Sequence, residues 1–394
     1  MFYSHDTYGL GHLRRTLALA RFLPAGRPML SQLIVTGSPL AHRFQLPPRT
    51  DYIKLPSVLK MGVETYESRS LGVPFGTLRD LREDMLLSTA RHFQPQLLLV
   101  DNVPRGLKGE LVPTLRLLKE RSCRLVLGLR DVVDEADRVR ETWERDGSYE
   151  LLENLYDMIL VYGRRDVYDV VAEYSFQARA RAKTRFVGYL RREPPARSPE
   201  TLREELGLES GRLVLVMAGG GGDGYGLLRA VVEAIRLGGD GVRFDCLLLG
   251  GPLMPPEDRR RVLALAAGER FIRFVDFVDD VASYVAAADV IVSMGGYNSV
   301  CEVLSAGKTA IVVPRTTPRR EQLIRAEALQ RRGLLRMLEP DRLTAESLLV
   351  EIDGLLEGRT PNGARMPLDG IPAAAGAIDE LLASEPSPDP ALTA

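Results

Sequence analysis

Short apolar runs alternate with longer stretches of helical periodicity along this chain of 394 residues, and the whole alternation occurs twice. In the first half the apolar runs are 33–36, 97–100, 125–129, 158–161 and 185–187, with helical patterns at 13–22, 78–93 and 111–120. Runs this apolar suit strands covered on both faces, and strands separated by helices are joined in parallel. The second half restarts with a short helix at 199–206 and apolar runs at 213–217, 244–249, 271–274, 290–293 and 310–313. Helical patterns at 227–236, 256–267, 281–287, 299–306 and 321–332 fall among them. The expected fold class is therefore α/β, with two Rossmann-like domains, each built on a parallel sheet.

Residues 188–198, GYLRREPPARS, are rich in Pro and Arg and lack periodicity, so they are expected to link a first domain, 1–187, to a second, 199–357. A quiet stretch at 358–372 precedes a last helix at 373–382, and the tail 384–394 is expected to be disordered. Only residues 1–4 precede the first glycine loop, whereas a buried strand usually has about five or six residues, so the strand is expected to begin upstream of Met1.

A net charge of −1 gives no field that favours nucleic acid or an anionic membrane. Cys123, Cys246 and Cys301 are too few and too scattered for a disulfide framework or a zinc site, so they are expected to be reduced and buried. With neither a signal peptide nor an apolar run of transmembrane length, the expected location is cytoplasmic, with peripheral attachment to the inner membrane face left open.

Open parallel sheets bind ligands beyond the carboxyl ends of their strands, which directs attention to the loops that follow each strand. The first, SHDTYGLG at 4–11, leads into a helix that opens at His12. Gly9 and Gly11 let the backbone approach a ligand at a helix N-terminus. Arg14 stands where the dinucleotide fingerprint needs its third glycine, which argues against NAD. His12 is placed to act as a general base toward a hydroxyl, or else simply caps or packs; His5 and Asp6 compete for the role. The second loop, AGGGGDGYG at 218–226, carries six glycines in nine positions without the Gly-Lys-Ser/Thr of a Walker loop. Gly219, Gly220, Gly221 and Gly222 suit backbone N–H groups wrapped round phosphate; a merely flexible turn is the alternative.

In the third segment, SMGGYNSVCEVLSAGK at 293–308, Gly295 and Gly296 end a strand, Asn298 or Ser299 can cap, and a helix follows. Glu302, one turn in, suits the two hydroxyls of a ribose, or else is an exposed helix residue interacting with the dipole. In the fourth, PRTTPRREQ at 314–322, Arg315, Arg319 and Arg320 bring positive charge to the edge of the site. Glu321 and Gln322 can hydrogen-bond sugar hydroxyls, or simply open a polar helix.

Gly296-Tyr297-Asn298-Ser299 with Glu302 resembles the Gly-Trp-Asn-Ser-x-x-Glu core of the plant secondary-product glycosyltransferase box. The span 288–333 is similar to the C-terminal domain of the MurG family of GT-B glycosyltransferases. GLGHLRR at 9–15 resembles the N-terminal loop of that family, and more closely that of PseG-type nucleotide-sugar hydrolases. The resemblance implies two domains facing across a cleft, with the last helix crossing back onto the first. It implies His12 as the catalytic residue, Asp6 remaining the competing candidate read from the loop itself, and a hexose-type sugar carried by a nucleotide-diphospho-sugar, a UDP-sugar by analogy. Asn298 and Ser299 would hold the diphosphate, Glu302 the ribose, Glu321 and Gln322 with Arg319 beside them the sugar, and Phe277 and Val278 in the turn 276–281 the base.

Met294 stands in place of the plant box's histidine and Tyr297 in place of its tryptophan, which leaves the donor's identity open. No Asp-x-Asp pair stands at the expected phosphate site, so a metal-independent, inverting transfer with no further cofactor is expected. The acceptor, a small molecule, a lipid-linked sugar or a polysaccharide, is expected on the first domain near loops 4–12, 36–43, 60–76, 101–109 and 130–134, with 60–76 as a lid. Three other classes stay open: a nucleotide-sugar hydrolase with water as acceptor, a sugar-nucleotide epimerase, and a non-catalytic sugar-nucleotide binding protein. The sequence lacks the paired acidic residues and histidine expected of an epimerase.

Overall fold

The computed structural model describes residues 1–5, 11–61, 65–359 and 365–384. They form two compact units: one holds the N-terminal strand, His12–Tyr189 and the chain from Asp369, the other Leu190–Leu368.

The first unit contains β1 (Phe2–Ser4), β2 (Gln32–Thr36), β3 (Thr50–Lys54), β4 (Val58–Lys60), β5 (Tyr66–Ser68), β6 (Leu97–Asp101), β7 (Arg124–Arg130), β8 (Met158–Tyr162) and β9 (Thr184–Phe186). Seven of these make one parallel sheet in the order β3-β2-β1-β6-β7-β8-β9, while β4 and β5 pair antiparallel. Continuous apolar strands such as β7 and β8 are buried on both faces, each buried Leu, Val or Ile contributing roughly 1.5–3 kcal/mol. The chain passes from β1 outward through β2 to β3, then returns to the other side of β1 at β6, so the topological switch point lies between β1 and β6.

The second unit contains β10 (Leu213–Met217), β11 (Asp245–Leu249), β12 (Ile272–Val275), β13 (Val290–Ser293), β14 (Ala310–Val312) and β15 (Arg336–Met337). Its sheet is parallel throughout, in the order β12-β11-β10-β13-β14-β15, and its switch point lies between β10 and β13.

The sheet order confirms the two parallel α/β domains and corrects three local expectations. β3 has an alternating, half-exposed pattern because it is an edge strand, and it left no apolar run. β15 has only two residues. The stretch 60–76, expected as one long loop, includes β5, which pairs with β4; residues 62–64 lie outside the described set.

The expected linker is partly built into the second unit. Arg192 N–H donates to Ser305 Oγ at 2.9 Å, and Arg197 N–H donates to Ser283 Oγ at 2.9 Å. The last helix, Gly370–Ala383, belongs to the first unit, where Arg27 pairs with Asp379 and Arg124 donates to the Ser384 carbonyl. A Cβ on Gly370 would lie 2.5 Å from the Gly188 carbonyl oxygen, so only glycine lets the helix start there. The tail expected to be disordered lies outside the described residues from 385 onward. Among the described residues no helix is long and apolar enough to cross a membrane.

Candidate active site

At the switch point of the first sheet, the last residue of β6 is Asp101, and the helix after β1, Gly11–Phe22, carries His12 and Arg15 in its first turns. His12 Nδ1 lies 2.6 Å from Asp101 Oδ2. Arg15 closes a two-pronged fork on the same carboxylate, Nε to Oδ1 at 3.0 Å and Nη2 to Oδ2 at 2.6 Å. Asp101 and Arg15 are 1% and 2% exposed, whereas His12 keeps 20% of its side chain open. Burial by itself would push the Asp101 carboxyl up; the Arg15 guanidinium and the hydrogen bond from His12 outweigh it and hold the group at about 2. An ionised carboxylate only accepts, so His12 Nδ1, which also lies 3.2 Å from Arg15 Nη2, is the group that donates to Asp101. A buried carboxylate against one ring nitrogen is an arrangement that can orient an imidazole and fix its tautomer.

His5, the competing candidate, is 7% exposed and meets the His12 ring edge-on with centroids 5.6 Å apart. Gly11 opens the helix directly before His12. Asp6 and Gly9 lie outside the described residues.

In the second unit the expected site residues stand on the loops that follow β10, β12, β13 and β14 or in the first turns of the helices those loops open. Gly219 and Gly221 adopt φ of +63° and +91°. For Gly221 the structure supplies a reason other than phosphate: a Cβ there would sit 2.3 Å from the Gly250 carbonyl oxygen, and its N–H donates to Ala218 at 3.1 Å. Gly224 faces Ala218 Cβ at 2.4 Å in the same sense. Part of the glycine density thus serves to pack this loop against 250–254, where Leu253 N–H also donates to Gly220. The N–H groups of Gly219, Gly220 and Gly222 have no partner among the described residues, and their loop follows β10 at the switch point of the sheet.

After β13, Gly295 takes φ +75° because a side chain would meet Val312 Cγ1 at 2.6 Å, and Gly296 caps the helix Tyr297–Ser305. Ser299 and Glu302 are each 9% exposed, so Glu302 is not the solvent-facing helix residue that the sequence left open. The Asn298 side-chain oxygen accepts from Arg192, so its carbonyl group is already engaged. Phe277 and Val278 are half-buried in the turn after β12, which is tied down by the Arg259–Asp276 pair at 2.5 and 2.9 Å.

After β14, one of the three arginines expected to bring positive charge is engaged by carboxylates. Arg315 is already neutralised, Nη1 to Asp223 Oδ2 at 2.5 Å and Nη2 to Glu321 Oε1 at 2.6 Å. Gln322 Oε1 accepts the Arg315 N–H at 3.0 Å. Glu321 and Gln322 are 4% and 8% exposed, and Arg319 is half-buried just before the helix Glu321–Gln330. The parts the sequence did not assign are Arg15, the pairing partner role of Asp101, and the Asp223–Arg315 bridge. A carboxylate ending a strand beside the switch point was the available signal for Asp101.

Residues 251–374, close to a third of the chain, match the glycosyltransferase family 28 C-terminal domain. A UDP-N-acetylglucosamine--N-acetylmuramyl-(pentapeptide) pyrophosphoryl-undecaprenol N-acetylglucosamine transferase of Paenarthrobacter aurescens is 31% identical over 159 residues, 40% of this chain and 41% of its own. Matches to curated relatives of this name span 22% to 46% of the relatives' own length. Among solved structures, the calicheamicin glycosyltransferase CalG4 superposes with TM-score 0.60 at 16% identity over 96% of each chain. A UDP-N-acetylglucosamine 2-epimerase assigned in Listeria monocytogenes superposes with TM-score 0.66 at 14% identity, over 97% of this chain and 96% of its own. At such identities the superpositions establish the fold, the two-domain GT-B architecture.

Proposed function

We propose that the chain is a glycosyltransferase that moves a hexose-type sugar from a nucleotide-diphospho-sugar, a UDP-sugar in the first instance, to an acceptor hydroxyl. The observation that carries the chemistry is the His12–Asp101–Arg15 array, a base held in one tautomer by a buried, ionised carboxylate. His12 Nε2 takes the acceptor proton, the oxygen attacks the anomeric carbon, and the diphosphate leaves; direct attack inverts that centre. The imidazolium that forms is stabilised by Asp101, and Arg15 keeps Asp101 ionised.

The family 28 match over 251–374 supports the second unit as the donor side, and the relatives' printed names support uridine as the base to try first. We assign the diphosphate to the N–H groups of Gly219, Gly220 and Gly222 and to the start of the helix Tyr297–Ser305, with Asn298 and Ser299 at that start. Glu302 takes the ribose hydroxyls, Glu321 and Gln322 the sugar, and Phe277 and Val278 the base. Backbone dipoles then meet the charge that develops on the leaving group, and no divalent cation takes part. The named relatives act on an undecaprenol-linked acceptor, so lipid-linked saccharides are the first acceptors to try, and such an acceptor would bring the enzyme to a membrane face.

The test is a product analysis with UDP-N-acetylglucosamine and other nucleotide-sugars, with and without lipid-linked acceptor and EDTA. Sugar appearing on the acceptor, with unchanged rate in EDTA, is expected. Fast release of free sugar without acceptor would replace transfer by hydrolysis.

A further inference from the structure

We infer that Arg315 is the cationic partner of the donor diphosphate, and that Asp223 holds its place until the nucleotide arrives; this rests on the donor-site reading above. β13 lies between β10 and β14 in the sheet. Asp223 follows β10 and Arg315 follows β14, so the ion pair between them, 2.5 Å long, passes over the end of β13, where Gly295 and Gly296 lead into the helix Tyr297–Ser305. The guanidinium is therefore suspended over the anion-binding edge rather than beside it.

Its two carboxylates are not equivalent. Glu321 is 6% exposed and stands in the first turn of its helix, whereas Asp223 is 31% exposed and stands on the glycine loop. Glu321 is the fixed partner and Asp223 the exchangeable one. The root of the arginine does not move freely, because Gln322 Oε1 caps its N–H at 3.0 Å. Its Nε is buried and has no partner among the described residues, which leaves a donor for an incoming oxygen.

A diphosphate bound at Gly219–Gly222 meets like charge on Asp223, and the guanidinium fork fits phosphate as well as carboxylate. Binding therefore swaps Asp223 for a phosphate oxygen, and the freed carboxylate turns to water. Arg315 then faces the charge that the leaving group gathers in the transition state.

Calorimetric titration of the full chain with UDP, GDP, ADP and dTDP, and with the matching nucleosides, tests this in wild type, Arg315→Gln, Arg315→Lys and Asp223→Asn. Arg315→Gln is expected to weaken the bound diphosphate roughly 10- to 100-fold, the loss of one charge-assisted hydrogen-bond set, and to leave the nucleoside unchanged. Arg315→Lys should restore part of the loss. Asp223→Asn should tighten the diphosphate, since it removes the competitor. A diphosphate that binds Arg315→Gln as tightly as wild type, or one weakened by Asp223→Asn, overturns the inference while leaving the donor site standing. Should Arg315→Gln fail to fold, the Lys variant and the sign of the Asp223→Asn effect decide. A wild-type chain that binds none of these nucleotides overturns the donor reading itself.

Discussion

Once the β4–β5 pair is set aside, the two sheets share the order of their first six strands, the first sheet adding β9 at its edge, and each reverses direction beside its first strand. What stands at the two reversals differs. Beside β1 the strand-end loop and helix bring together three charged or titratable side chains, two of them buried and one open. Beside β10 the corresponding place is lined by glycine backbone and the start of a helix, with one arginine held between two carboxylates. One topology thus carries two different sets of groups at its strand ends, and the proposed function assigns proton handling to the first and anion holding to the second.

The comparison breaks first at His12. His12→Ala is expected to cut turnover by about 10²- to 10⁴-fold, with nucleotide affinity unchanged, as read by initial rates and calorimetry. Near-normal turnover would remove the catalytic role of the first reversal. Asp101→Asn strands the buried Arg15 charge and is expected to lower stability by roughly 3–5 kcal/mol in chemical denaturation. The same residue gives a pH signature. Its folded pKa, about 2, lies below the ordinary 3.8, so the stabilisation is fully present above about pH 4 and is lost as pH falls toward 2. It amounts to about 2 kcal/mol, and the Asp101→Asn protein should lack this acid-linked component.

The second reversal is sharpened by its glycines. Gly221→Ala, at φ +91° with 2.3 Å to the Gly250 oxygen, is expected to cost roughly 1–3 kcal/mol in thermal unfolding. Gly226→Ala, inside the helix Tyr225–Gly238 with open space around it, should be neutral or stabilise by up to about 1 kcal/mol. Equal losses at both would mean that the loop glycines are not divided between packing and ligand. On ligand affinity a smaller effect than that of Arg315→Gln is expected at Glu302→Ala, about tenfold for the donor, with the corresponding 2′-deoxynucleotide affected less.

How much of this was legible follows from distance along the chain. The strands with continuous apolar runs declare themselves, as do the glycine loops and His12, because each is a local pattern. Asp101 is separated from His12 by 89 residues and meets it only because β1 and β6 are neighbours. The short edge elements β3 and β15 carry too little buried apolar surface to leave a pattern. Gly221 reads as a phosphate binder in the sequence because its packing partner, 250–254, becomes visible only in the folded loop. Arg315 reads as free positive charge because Asp223 is 92 residues away.

The central claim is that the second unit holds a nucleotide-diphospho-sugar, and a thermal-shift titration of the intact chain with UDP-, GDP-, ADP- and dTDP-sugars tests it most directly. One nucleotide class is expected to raise stability, by about 2.7 kcal/mol at a hundredfold excess over its dissociation constant, equally with and without EDTA. A well-folded chain that shows no shift with any of them would contradict the account.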